Sequence, residues 1–248
     1  MRRAARLSLL VSLLTLGLLA PGGQASAASD RLPDLAMAKL RHIGTKTVDG
    51  RRLLRFSAII VNVGDGPFEL RSRRTTTHSR WSTRQVIHDD AGGSRSVATP
   101  PVRLVYAGDG HNHWHVKDLE QYRLVPLGST GGSRIGQKVG FCFFDNYEYR
   151  LSLPDAPEDP VYGHRACGTR DSVGLSNGLS VGWGDIYHRS LPGQSIDITD
   201  LPEGPYRLWA TADQADVFWE SNDANNETWA DLWIDASGVR VLRKAANP

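Results

Sequence analysis

His111, His113 and His115 alternate along the stretch Gly108-Asp109-Gly110-His111-Asn112-His113-Trp114-His115 and account for three of the eight histidines. Alternate residues of a strand face one side. Three imidazoles would therefore point one way, and a one-sided imidazole cluster suits copper, zinc or iron. At about 3.3 Å per residue, the outer two would stand roughly 13 Å apart on a straight strand, near the limit for sharing one ion. Either the strand curves or bulges, or one histidine is not a ligand. Gly108 and Gly110 make a bend cheap. The bland reading is an exposed histidine run.

Other residue types that do chemistry are scattered. Lys138 sits in Gln137-Lys138-Val139-Gly140-Phe141-Cys142-Phe143-Phe144-Asp145, a largely apolar strand pattern. A lysine there has either a partner, a task, or a route for its amine to water. Tyr187 closes the Gly- and aromatic-rich run Leu179 to His188, where glycines mark close approach by another segment or a ligand. Cys142 and Cys167 are the only cysteines. An even count in an exported chain favours a disulfide over thiolate metal ligands. The loop it closes would stabilise by roughly 3 kcal/mol in the chain-entropy model.

The elements that must position these residues read as all-β with long loops: glycine, proline, tryptophan and β-branched residues are frequent, and no long 3.6-residue periodicity appears. Leu53 to Val63 is apolar on both faces and predicts a central strand, preceded by an Asp49-Gly50 hairpin turn. Residues 72–100 are polar and predict a long surface loop around a short strand at Val86-Ile87, placed to border a substrate entrance. Strands are expected at Val102 to Tyr106, at His115 to Leu127 with Asp118, Glu120 and Tyr122 on one face, and at Gln137 to Asp145. Residues 145–178 read as loop. Further strands are expected at Ser195 to Thr199, Pro205 to Ala212, Thr228 to Ile234 and Val239 to Leu242. Glu220-Ser221-Asn222-Asp223-Ala224-Asn225-Asn226 is an oxygen-rich loop.

The first residues read as a leader rather than fold. Arg2, Arg3 and Arg6 precede the apolar run Leu7 to Ala20, Pro21-Gly22-Gly23 breaks it, and Ala25-Ser26-Ala27 fits a cleavage site. The expectation is a signal peptide over 1–27 and one sandwich-like domain over 28–248 of a secreted, extracellular protein. The apolar run is too short to span a bilayer comfortably, and no later segment is longer. Three of the 29 basic side chains lie in this leader and none of the 27 acidic ones. The formal charge of +2 therefore turns slightly negative over the remainder. No polybasic tract is left to meet nucleic acid or a membrane surface.

Taken together, four ordered stretches resemble the catalytic domain of the lysyl oxidase family of copper amine oxidases, in the manner of a pared-down bacterial member. His111-Asn112-His113-Trp114-His115 resembles its three-histidine copper motif. Lys138-Val139-Gly140-Phe141-Cys142 resembles the segment of its cofactor lysine. Gly178-Leu179-Ser180 through Asp185-Ile186-Tyr187 to Ile196-Asp197-Ile198-Thr199-Asp200 resembles the segment of its cofactor tyrosine. Leu32-Pro33-Asp34-Leu35 and Glu220-Ser221 with Asn225-Asn226 resemble its two ends.

The resemblance implies that His111, His113 and His115 ligate copper and that Lys138 and Tyr187 join as lysine tyrosylquinone. That cofactor would oxidise primary amines, either peptidyl lysine or small amines, to aldehydes with release of hydrogen peroxide and ammonia. It further implies calcium at Asp34, Leu35, Glu220, Asn222, Asn225 and Asn226; an Asx-rich turn capping itself is the competing reading there. The general base stays open. Animal members carry a histidine seven residues past the third copper histidine, where Tyr122 stands here. Asp118 is the first candidate, with His188 and His164 behind it. Two other functions compete: a mononuclear metal-dependent oxidoreductase without quinone, and a non-catalytic extracellular β-sandwich that binds a ligand. Neither gives Lys138 and Tyr187 a joint role.

Overall fold

The structure, a computed structural model, describes residues 27–106, 112–117, 119–128, 132–137 and 140–248. It is all-β, with one 3-10 turn at His164–Cys167. The expected leader falls almost wholly outside the described residues. Among those described, no helix is long and apolar enough to cross a membrane.

The strand Arg51–Asn62 is the axis of the fold. Its apolar residues lie on both faces, so both are covered. Leu54, Phe56, Ala58 and Ile60 enter the main core, and Ile59 and Val61 enter a smaller one with Ala36 and Ala38. Along one edge it pairs with Trp183–Tyr187 and then Ser195–Asp197. Along the other it pairs with Leu35–Met37 and Arg41–Val48. The Asp49-Gly50 turn forms as expected, with both residues at positive φ.

A second antiparallel sheet faces this one, in the order Arg134–Gln137, Glu120–Pro126, Gly204–Ala212, Glu227–Asp235 and Gly238–Lys244. Its inner face alternates as a half-buried sheet should. Tyr122 and Leu124, Tyr206, Leu208 and Ala210, and Ala230, Leu232 and Ile234 all join the main core.

Four sequence expectations need correcting, one of them the loop over 145–178, which ends in the strand Gly174–Leu179. Residues 72–100 are not one loop: Ser82–Asp89 and Ser94–Ala98 form a hairpin that continues a sheet with Phe68–Arg73 and Gly174–Leu179. Its strands look polar in sequence because much of their surface faces solvent. His115 to Leu127 is not one strand. Trp114–Val116 pairs with Leu104–Tyr106, and the next strand starts afresh at Glu120. Of the expected strand Gln137 to Asp145, the described residues 140–145 are irregular apart from the bridge between Val116 and Phe141.

Candidate metal and cofactor centre

Two of the three motif histidines are described. His113 and His115 are both buried, and their Nε2 atoms lie 2.7 Å apart. Neighbouring ligands of one ion at about 2.0–2.1 Å would hold their nitrogens at a similar or slightly wider spacing. That spacing fits two ligands of one ion; the expected third ligand, His111, lies outside the described residues. Without it, the described residues hold no cluster of three His, Cys, Asp or Glu side chains set for a metal ion. Trp114, between the two histidines, turns to the opposite side. There it packs edge-on to Trp81 and Tyr106 and under the Arg74 guanidinium. Residues from 74 to 81 line a cavity of about 640 Å³ on that side, with Trp114 as one wall.

His164 joins the histidine pair from a distant part of the chain. Its Nε2 lies 3.1 Å from His113 Nδ1. The 3-10 turn that carries it is tied down by the Cys142–Cys167 disulfide, the pairing the cysteine count favours. Such a contact to the second ring nitrogen fixes ring orientation and tautomer. His188 engages Ser190 and His42 instead.

Tyr187 comes from the central sheet, opposite Ala58 on the axial strand. It is 4% exposed. Its hydroxyl accepts the Cys142 N–H at 3.1 Å, and its ring lies 4.0 Å from that of Phe141, centroid to centroid. Phe141 exchanges backbone hydrogen bonds with Val116, next to His115. Gly140 makes this approach possible. Its φ is +151°, and a Cβ there would meet the Val116 carbonyl at 2.7 Å and His115 Cβ at 2.8 Å. The fold thus packs three segments distant in sequence against one another: the histidine strand, the Gly140–Cys142 segment and Tyr187. Lys138 itself, two residues before Gly140, lies outside the described residues, as does Asp118.

Sequence reasoning gave no role to a group beside this centre. Glu120 and Tyr122 are fully buried on one face of their strand. The Tyr122 hydroxyl donates to the Glu120 carboxylate and accepts from Gln194 Nε2 at 2.8 Å. Burial first, then the Glu120 carboxylate, with Tyr187 a smaller contributor, holds the Tyr122 phenol well above its ordinary pKa. The alternation at 120 and 122 was the signal for this pair.

The oxygen-rich loop docks on the first strand. Asn225 Nδ2 donates to Asp34 Oδ1 at 2.8 Å, the Leu35 N–H donates to Glu220, and Asn226 Nδ2 reaches Glu220 Oε1 at 3.4 Å. Asn62 Oδ1 accepts the Asp34 N–H from beneath. Burial pushes the Asp34 carboxyl up and the Glu220 carboxyl to about 9. The Oδ1 atoms of Asn225 and Asn226 are buried with no hydrogen-bond partner. A buried Asp34, a half-buried Glu220 and two orphaned amide oxygens suit a hard cation that takes oxygen ligands. Asn222 is drawn into the competing arrangement, since its Oδ1 caps the Ala224 N–H in an Asx turn. Leu35 is brought to the site through its N–H.

Comparison with known proteins points to one family. A family profile described as Lysyl oxidase matches residues 105–243. The chain is 28% identical over 186 residues to lysyl oxidase homolog 2 of Gallus gallus, covering 74% of this chain and 19% of that protein. It is 29% identical over 178 residues to lysyl oxidase homolog 3A of Danio rerio, covering 71% and 18%. With protein-lysine 6-oxidase of Gallus gallus it shares 30% over 123 residues, covering 49% and 26%. The match thus spans about a fifth to a quarter of the length of these curated relatives.

Proposed function

The chain belongs to the lysyl oxidase family, and from that premise we propose that it is an exported copper- and quinone-dependent amine oxidase. Residues 28–248 would form its catalytic domain after loss of the leader 1–27. Its substrates are primary amines, peptidyl lysine or small amines; the relative named protein-lysine 6-oxidase supports the first. The products are an aldehyde, hydrogen peroxide and ammonia.

One observation carries the reading. The Tyr187 phenol is docked on the Cys142 amide, four residues past Lys138. The same short segment is bridged to the strand of the buried His113 and His115 pair. His111, His113 and His115 would hold copper, and Lys138 and Tyr187 would become the lysine tyrosylquinone. Copper with dioxygen would supply the oxidising chemistry that makes the quinone, and the quinone would supply the electron sink for the amine. The protein's own work is placement. Phe141 packs at a tilt against the Tyr187 ring and limits its rotation. The Cys142 N–H holds the phenol oxygen, and burial at 4% exposure keeps bulk water from the ring. His164 steadies His113. Asp118 is the proposed acceptor of the substrate's α-proton. Calcium held by Asp34, Glu220, Asn225 and Asn226, with Leu35 and Asn222 at the rim, would pin the first strand to the last hairpin. A metal centre without quinone, or a ligand-binding sandwich, leaves the Tyr187 docking without a purpose.

The test is copper loading in air, followed by intact mass, redox-cycling quinone stain and peroxide release on adding an amine. Wild type should gain the cross-link and the stain, and Tyr187→Phe should gain neither. Peroxide release that survives Tyr187→Phe would leave the mononuclear reading standing instead.

A further inference from the structure

The cavity of about 640 Å³ on the Trp114 side of the histidine strand has no part in the reaction described above. Its described lining includes Arg74, His78 and Arg80 and no aspartate or glutamate. Asp171 lies in an adjoining cavity of about 190 Å³, beside Arg170. Arg74 is 8% exposed, and a buried cation is costly unless an anion compensates it. Among the described residues no carboxylate does so. Its Nε donates to the Ser172 carbonyl at 2.7 Å, its Nη2 to that of Arg170 at 2.6 Å and its Nη1 to that of Thr77. All three acceptors are neutral. They hold the guanidinium in place and leave its charge unmatched.

The wall is preformed. The Arg74 N–H donates to the Val173 carbonyl, and Trp114 Nε1 donates to that of Thr169 at 2.7 Å. Ser79 Oγ lies 2.8 Å from Oγ1 of both Thr75 and Thr76 and locks the rim turn. Trp81 Nε1 is buried with no hydrogen-bond partner, a donor that lacks an acceptor. An unmatched guanidinium and an unmet indole donor, both on residues of the cavity wall, call for a ligand rich in anionic oxygen. Nucleobases and sugar rings bind aromatic walls by stacking on open faces. Here the Arg74 guanidinium lies over both indoles, at 4.6 Å from Trp81 and 4.7 Å from Trp114. The two indoles meet edge-on at 5.2 Å, and Arg170 lies over Tyr106 at 4.5 Å. A carboxylate on a flexible chain needs only the donors, and the cavity has the volume for more than one side chain.

We propose that this cavity is a recognition site for an acidic peptide segment, with a carboxylate drawn to Arg74 and Arg80 steering it from the exposed rim. The strand that shows His113 and His115 to one side shows Trp114 to the other. A peptide held here therefore lies one strand's thickness from the candidate metal centre. Binding rests on the cavity alone. Its use, to hold the acidic flank of a lysine that is to be oxidised, rests on the amine oxidase reading above.

The test is isothermal titration of the full chain with a lysine-free oligoglutamate peptide, beside an oligoglutamine of equal length and an oligogalacturonate. Wild type should bind the glutamate peptide, more weakly as salt rises, and should not bind the glutamine one. Arg80→Glu should weaken binding about tenfold, and Arg74→Gln at least as much. No binding by wild type, or equal binding by Arg80→Glu, overturns the site. Arg80 is exposed, so that variant decides even if Arg74→Gln does not fold. Binding of the galacturonate and not of the glutamate peptide overturns the peptide in favour of an acidic polysaccharide. The substrate role has its own readout. With the active enzyme, a lysine peptide flanked by glutamates should show a lower KM than its glutamine counterpart at the same kcat, the mark of uniform binding. Equal KM values remove the flanking role. Wild type that binds the glutamate peptide and oxidises no amine supports the site and removes the amine oxidase reading.

Discussion

Gly140→Ala puts one methyl group where three segments meet. The built Cβ stands 2.7 Å from the Val116 carbonyl oxygen and 2.8 Å from His115 Cβ, whereas carbon atoms in ordinary contact sit about 3.5–4.0 Å apart. Backbone must therefore yield by roughly 0.7 Å or more. It must yield at the bridge where Phe141 and Val116 exchange hydrogen bonds of 2.8 and 2.6 Å. The φ of +151° adds about 1–3 kcal/mol for any residue with a Cβ. In a domain of this size each kcal/mol lowers Tm by about 2–4 °C, so calorimetry should show a fall of roughly 3–10 °C. The larger effect falls on chemistry. The Gly140–Cys142 segment carries the amide that docks Tyr187, and a misplacement near 1 Å costs on the order of 100-fold when reacting groups must meet. Copper-loaded Gly140→Ala, followed by intact mass, should cross-link about two orders of magnitude more slowly than wild type at temperatures where it is fully folded. A variant that melts and cross-links as wild type does would refute the claim that Gly140 sets this approach.

Opening the disulfide by replacing Cys142 and Cys167 with serine releases a loop of sequence separation 25. It should cost about 3 kcal/mol and roughly 6–12 °C in Tm by calorimetry; a change under about 2 °C would mean the turn bearing His164 is held by other contacts. Asp231 is clamped by Arg207 at 2.6 Å and Arg243 at 2.7 Å, and the Arg207 hydrogen bond above all holds its carboxyl below the ordinary value. A lowered folded pKa gives stability that is fully present above the unfolded value, near pH 4, and is lost as pH falls through the folded value. Urea midpoints should thus favour wild type over Asp231→Asn by on the order of 1 kcal/mol at neutral pH. The gap should close below about pH 4, and a gap independent of pH would remove the ion pair as its cause. Calcium added to metal-free protein should raise Tm, because a ligand that binds only the folded state stabilises it by mass action. Asn225→Ala, which removes an orphaned buried oxygen, should weaken that response in isothermal titration. Equal binding by variant and wild type would place the cation elsewhere.

The axial strand was legible because its residues are apolar at odd and even positions alike, and only a strand covered on both faces needs that. The Asp49-Gly50 turn and the Cys142–Cys167 pairing were legible for equally local reasons. The hairpin within residues 72–100 was hidden because it is largely solvated. Gln85, polar in sequence, is buried there only because it bonds the backbone of Trp219, far along the chain. The Lys138 segment read as a strand on its apolar content. That content serves instead to press Phe141 and Phe143 into the core beside Tyr187. Within the candidate centre, alternation correctly put His113 and His115 side by side. His164 and Gln194 reach the centre through tertiary contacts that no local pattern encodes.

The central claim is that Lys138 and Tyr187 become one cofactor, and intact mass of copper-loaded protein tests it most directly. Wild type should gain one oxygen and lose four hydrogens, with a peptide map joining residues 138 and 187, while Tyr187→Phe keeps its unprocessed mass. Wild type that binds copper to saturation in air and keeps its unprocessed mass would contradict the account.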